Sequence, residues 1–420
     1  MISARWHACV LPVAMWALAM PVASQEPAQQ AVRIGVILPQ TIADPLQTAV
    51  IEAAAAGIAM AEEEFSFNAE MFGTEFAVTT IRSDDVVAAA DQLVAEDHVL
   101  AVIGGYGTAE ATALSQWAGG AGVPFINVGA ESDTLRNELC GPSTFHVAPS
   151  AAMYLDAMAG WYVRAGFRRW YVVQADDAES ASQHERMLWT LDQRFFGAEE
   201  VGSAVVAPGA GLSEDTIAQI RDSNADLVLL LTGANDQLAA VSALSAAGLE
   251  ANVAGFPYAE TQTRQFFAAL EGATEKLGSN FRATAWEATL DAYGARELNA
   301  RFRDLTGEPM EPSAWAAYQA IKLIYEAAFF SGGSDVASVV AYLNDPSSVF
   351  DVWKGIGTSF RPWDRQLRQP VYLVEINSAA EDAFSSAFLV GELPAIYMPG
   401  TDPLERLDQL GDLADRSTCQ

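Results

Sequence analysis

The chain has 420 residues, 51% of them hydrophobic, and a formal charge of −31. That length allows two domains of ordinary size. So acidic a chain is repelled by phosphate backbones, which argues against nucleic acid and anionic membranes as partners. Lysine occurs only at Lys276, Lys322 and Lys354, and the acids are spread along the chain as a solvated surface.

The first residues follow an export pattern. Arg5 precedes an apolar run from Ala8 to Met20, and Pro21-Val22-Ala23-Ser24 supplies small residues where a signal peptidase cuts, before Gln25. Residues 1–24 are therefore expected to be a cleaved signal peptide, placing the mature chain in the periplasm. A membrane anchor is the alternative, but the run is short for a spanning helix of about 20 residues.

Strand and helix patterns then alternate. Val32–Leu38 predicts a strand, about Thr48 to Glu64 a helix, Phe76–Ile81 a strand and Val86–Glu96 a helix. Val99–Gly104 predicts a strand, Thr108–Ala121 a helix and Pro124–Val128 a strand. The rhythm restarts after Ser150, with helices at 151–165, 178–196 and 235–247 and strands at 170–174, 226–231 and 253–255. A helical block spans about 291–343, Val371–Ile376 predicts a late strand, and a Pro-containing stretch after Leu393 leads to a polar helical end. Strands apolar on both faces, alternating with helices of ten or more residues, indicate parallel sheets covered by helices. The fold class is α/β, with two doubly wound Rossmann-like lobes.

Catalytic signatures are missing. The sequence holds neither a Gly-x-Ser-x-Gly elbow nor a phosphate loop ending in Gly-Lys-Ser/Thr. Gly105-Tyr106-Gly107-Thr108-Ala109-Glu110 opens like a dinucleotide fingerprint but has Glu at the third glycine position. His98, His146 and His184 lack metal-ligand spacing. The reading is a binding protein, with no cofactor implied, rather than an enzyme.

One stretch is more specific. Ser83-Asp84-Asp85, Leu93-Val94-Ala95-Glu96-Asp97, Val102-Ile103-Gly104-Gly105 and Val123-Pro124-Phe125-Ile126-Asn127-Val128-Gly129-Ala130 together resemble the first lobe of branched-chain amino-acid-binding proteins of ABC importers. Ala225-Asp226-Leu227-Val228 and Ala246-Ala247-Gly248-Leu249 continue the likeness into the second lobe. The resemblance implies a type I periplasmic binding protein that closes on a small ligand and presents it to an ABC permease in the inner membrane. It also implies a hinge crossed three times, near Pro149, Ala283 and Gly355. The first lobe would comprise 31–149 plus 284–355, the second 150–283 plus 356–390, and the tail 391–420.

Pocket positions follow residue by residue from the same resemblance. Thr108 is the hydroxyl residue after the third strand, with a helix N-cap as its alternative role. Gly129, Ala130 and Glu131 form the loop that would hold a ligand carboxylate, yet Glu131 replaces a small hydroxyl residue and repels an anion. In the second lobe the loop reads Asp176-Asp177-Ala178-Glu179, without the usual aromatic. The acid that pairs with a ligand ammonium is missing from Gly255-Phe256-Pro257-Tyr258. The clamp for an α-amino acid is thus altered on both sides, which argues against leucine-like ligands. The expected lining is Thr108, Gly129, Ala130 and Glu131 opposite Asp176, Asp177, Glu179 and Tyr258. Its acids suit a cationic ligand or a hard metal ion, or else are ordinary surface acids.

Phe360-Arg361-Pro362-Trp363-Asp364-Arg365-Gln366-Leu367-Arg368-Gln369-Pro370 resembles a motif of a subgroup associated with PQQ-dependent alcohol dehydrogenase systems. That likeness implies a role beside a quinoprotein dehydrogenase, by transport or as an accessory or sensor protein. A hinge-proximal loop whose arginines pair with acids is the plain alternative. Cys140 and Cys419 remain after the leader; they can join the tail to the first lobe in an oxidising compartment, or stay as separate thiols.

Overall fold

The structure is a computed structural model that describes residues 31–419 except 250, 275–280, 332–334, 378 and 396–397. The expected leader, residues 1–24, lies outside the described residues.

Five parallel strands build the first lobe in the order β2-β1-β3-β4-β5: β1 (Ala31–Leu38), β2 (Glu75–Arg82), β3 (Ala101–Gly104), β4 (Phe125–Asn127) and β5 (Thr144–His146). The two-residue period of a strand sorts their side chains onto two faces. Ile34, Val36 and Leu38 of β1 enter one apolar core, and Ile37 enters the other. Helix α1 (Pro45–Met71) covers the first face, with α2 (Val86–Asp97) and α3 (Thr108–Ala121) on the second. Asp44 caps α1 by accepting from the Leu46 N–H, and Pro45 at its first position favours a helix start.

The second lobe repeats the plan: α4 (Ala151–Ala165), β6 (Arg169–Ala175), α5 (Ala178–Gln193), β7 (Glu199–Val206), α6 (Glu214–Asp222), β8 (Leu227–Leu231), α7 (Ala234–Ala246), β9 (Asn252–Gly255) and α8 (Arg264–Thr274). Its four strands are parallel in the order β7-β6-β8-β9. Here too alternation divides one strand between two cores: Leu227, Leu229 and Leu231 face α4, and Val228 and Leu230 face α7. The two separate sheets give the expected fold class.

A third, antiparallel sheet joins β10 (Phe281–Thr284), β11 (Val371–Ile376) and β12 (Ala387–Leu393). Ala283, Val371, Leu373 and Leu393 complete one second-lobe core, and Val374 and Ile376 the other. Between β10 and β11 the chain returns to the first lobe as α9 (Ala295–Thr306), α10 (Pro312–Phe330) and α11 (Val336–Asn344). Helix α10 lies so close to α1 that a Cβ on Gly57 would sit 2.2 Å from the Ala314 carbonyl oxygen. The alanines around Gly57 serve this approach.

One boundary differs from expectation. Residues 356–367 were assigned to the second lobe, but Phe360 and Leu367 belong to the first-lobe core and Gln366 bridges to His146 of β5. The last crossing falls between Leu367 and Val371 rather than near Gly355. Apolar side chains with a ready-made core decide this; the glycine only turns the chain. The tail contains α12 (Pro403–Leu407), and Cys140 and Cys419 are joined by a disulfide with Cα atoms 5.5 Å apart.

Candidate ligand-binding cleft

The carboxyl ends of both parallel sheets face each other across a cleft of about 760 Å³, lined by Asp44, Gln47, Asp177, Glu179, Asn235, Asp236, Tyr258 and Glu260 among others. Ligands of open α/β sheets bind at such strand ends. Two hydrogen bonds span the cleft. Thr108 Oγ1 donates to Glu179 Oε2 at 3.0 Å, and Asn235 Nδ2 donates to Asp44 Oδ2. A smaller recess at the cleft floor is lined by Tyr106, Gly129, Glu131, Pro149, Tyr154, Gln262 and Trp315.

The expected site residues divide into three groups. Thr108, Asp177, Glu179 and Tyr258 lie at the cleft, and Gly129 and Glu131 at its floor. Thr108 is not the helix cap: Gly107 occupies that position, and the hydroxyl turns across the cleft instead. Ala130 is buried and Asp176 is exposed outside the lining. Asp176 and Asp177 are adjacent, and only Asp177 turns inward, to cap α5 through the Ser180 N–H.

The loop expected to offer backbone N–H groups to an anion has none free among these residues. Gly129 N–H and Ala130 N–H both donate to Asn127 Oδ1, and Ala130 N–H also reaches the Gly105 carbonyl at 2.8 Å. Gly129 is required there, since a Cβ would lie 2.9 Å from the Tyr106 Cα.

Residues 255–258 hold no acid, but Glu260, two residues further on a short 3-10 turn, Ala259–Gln262, lines the cleft. Asp44 and Asn235 were also missed, although they follow the carboxyl ends of β1 and β8, where the strand-end rule looks first. Asp44, Asp177 and Asp236 are spent locally: the first two cap helices, and Asp236 accepts from the Gly209 N–H. Glu131 and Glu260 are not. Among the described residues neither carboxylate accepts a hydrogen bond from another residue.

Burial pushes the Glu131 carboxyl well above the usual range, and repulsion from Glu260 and Glu179 adds to it. Glu179 and Glu260 are raised chiefly by burial too, the first also by Asp177 and the second also by Asp44. Arg136, the cation nearest Glu131 in this set, spends its guanidinium on the Ala130, Ser132 and Ala148 carbonyls and on Gln366 Oε1. The expectation of a hard metal is not met in this geometry: among the described residues no three His, Cys, Asp or Glu side chains are grouped to hold an ion. The acids stand on separate helix ends and turns rather than converging.

A raised carboxyl pKa costs the empty fold stability once the unfolded chain ionises. Below about pH 4.3 both states are protonated and nothing is lost; above it stability falls until the folded pKa is passed, then stays lower. Glu131→Gln should therefore match the parent in melting temperature near pH 4 and exceed it by roughly 2–4 °C at pH 8. Melting curves of both proteins across that range check it; a difference independent of pH would show that Glu131 carries no such penalty.

The Phe360–Pro370 run holds the hinge together. Arg361 and Arg368 both donate to Asp408 Oδ1, at 2.9 and 2.8 Å, with Trp363 packed against both guanidinium groups. Gln366 and Gln369 donate to the carbonyls of His146, Val147 and Ala148 at the first crossing. Of the two readings of this run, the arginine–acid pairing is the one its contacts display.

A sequence profile described as periplasmic binding protein matches residues 31–381. No curated protein matches the sequence significantly. Among solved structures, an amino acid ABC transporter substrate-binding protein from Pseudomonas fluorescens Pf-5 has 16% identity and a TM-score of 0.76, covering 94% of this chain and 100% of that one. A periplasmic binding protein from Burkholderia mallei has 19% identity and a TM-score of 0.73, covering 93% and 98%. A solute-binding protein from R. palustris in complex with benzoate has 17% identity and a TM-score of 0.67, covering 86% and 96%. Identities this low speak for the fold alone.

Proposed function

The chain belongs to the periplasmic binding protein family, and from that membership we propose that it captures a small solute in the interlobe cleft and delivers it to an ABC importer. The carrying observation is the cleft itself, about 760 Å³ between two lobes that already touch through Thr108–Glu179 and Asp44–Asn235. A volume in that range holds a small molecule. Closing hides the solute from water and creates a two-lobed face that a permease can recognise. The export pattern of residues 1–24 supports work in the periplasm.

Native mass spectrometry of protein purified from its own periplasm tests the reading. The expected result is a non-covalent small molecule that is released on denaturation. Protein that never carries a ligand, and whose radius of gyration is unchanged by periplasmic extract, would sink it.

A narrower reading rests on the resemblance of Phe360–Pro370 alone: the solute serves PQQ-dependent alcohol oxidation, or the protein is a non-transporting accessory or sensor of a quinoprotein dehydrogenase. Arg361 and Arg368 are committed to Asp408, so neither is free for docking. Growth of a deletion strain on alcohol tests the link, and labelled-solute uptake separates transport from the accessory role.

A further inference from the structure

Resting on the solute-binding reading, we propose that the cleft takes an organic amine that carries no carboxylate, its ammonium seated between Glu131 of the first lobe and Glu260 of the second. Three observations meet at this point. First, Glu131 is only 9% exposed, lines the cleft-floor recess, and among the described residues accepts a hydrogen bond from no other residue. A carboxylate buried in this way lacks the donors that buried carboxylates elsewhere in the chain possess, such as Asp156. An ammonium supplies three donors and a charge of the right sign.

Second, aromatic groups complete the recess. Tyr106, Tyr154 and Trp315 share its lining, and ring faces attract cations. Third, an anionic group finds no place in this part of the site. The Gly129 and Ala130 N–H groups are already bonded to Asn127, and Arg136 is bonded to three carbonyls and Gln366. A ligand carboxylate would meet Glu131, Glu179 and Glu260 unshielded. Selection thus works by repulsion as well as attraction.

The same geometry favours an amine over a metal ion. Among the described residues no three acids converge, whereas an extended amine can reach acids that stand apart: Glu131 in the recess, and Glu260, Glu179 and Asp44 along the larger cleft.

Calorimetry on the full mature protein, unfolded and refolded to remove any carried ligand, tests this with putrescine, spermidine, leucine, benzoate and calcium chloride. The expected result is saturable binding of at least one amine and none of leucine, benzoate or calcium. Glu131→Gln and Glu260→Gln should each weaken amine binding by about 10- to 100-fold. Melting curves establish that each variant is folded. Tight leucine, benzoate or calcium binding, or amine binding unaffected by both substitutions, would overturn the proposal. So would a carboxylate or neutral molecule carried from the periplasm, which would leave the solute-binding reading intact.

Discussion

Asp156→Asn should destabilise the folded protein by about 3–5 kcal/mol, because it takes the shared carboxylate from the buried Arg186 and the half-buried Arg194. Asp156 sits on α4 with no exposure to solvent. Its two oxygens accept from Arg186 at 3.1 and 2.8 Å, Thr190 at 2.9 Å, Arg194 at 2.6 Å and the Gly411 N–H at 2.9 Å. Arg194 also donates to the carbonyls of Gln409 and Gly411. One carboxylate thus ties α4, α5 and the C-terminal tail together. An asparagine of the same shape keeps one acceptor and turns an N–H₂ toward the guanidinium groups. The loss should appear as a fall of roughly 5–10 °C in melting temperature. It should be accompanied by early proteolytic release of residues after about 400. A change below about 1 kcal/mol would mean that the arginines find other partners, Asp412 being the nearest by geometry.

Much of this arrangement was legible in advance, and the physical reasons for the exceptions differ. Strands buried on both faces announce themselves: Val371–Ile376 was read with its observed bounds, and the helix at 108–121 likewise. β7 was missed because it is an edge strand paired only to β6, and its sequence Glu-Glu-Val-Gly-Ser-Ala-Val-Val lacks an apolar run. β10 and β12 were missed because they are short or half-exposed and gain their place only by pairing with β11. Helix α1 was read as ending near Glu64, where charges begin; it continues to Met71 because Phe65 and Ala69 still reach the core. In the site, resemblance pointed to the Gly129–Glu131 loop but could not show that Asn127 already uses its N–H groups. It also looked for an acid at the wrong distance from β9. A 3-10 turn brings Glu260 back to the cleft, and sequence spacing alone carries no sign of such a turn.

Removing the disulfide, by Cys140→Ser with Cys419→Ser or by reductant, should cost about 2–5 kcal/mol. The bond closes a loop between residues 279 apart, the larger part of the 420-residue chain. A cross-link of that span restricts the unfolded ensemble far more than a local one, so the loss acts through the unfolded state. The folded tail should stay largely in place. Trp363 Nε1 donates to the Asp412 carbonyl at 3.1 Å, Ser417 to the Trp363 carbonyl at 2.8 Å, and Arg361 to Asp408. Hydrogen exchange governed by local opening should therefore quicken only near residues 140 and 419, while the slowest amides, which exchange through global unfolding, quicken with the lost stability. Urea titrations of the oxidised protein, the reduced protein and the double serine variant check this. The last two should coincide, with a lower midpoint and a larger m value than the oxidised protein, since the freed chain exposes more surface on unfolding. If reductant leaves the midpoint unchanged, the bond contributes nothing to global stability. If the tail detaches from the folded protein instead, its hold depends on the covalent link rather than on Asp408, Gly411 and Asp412.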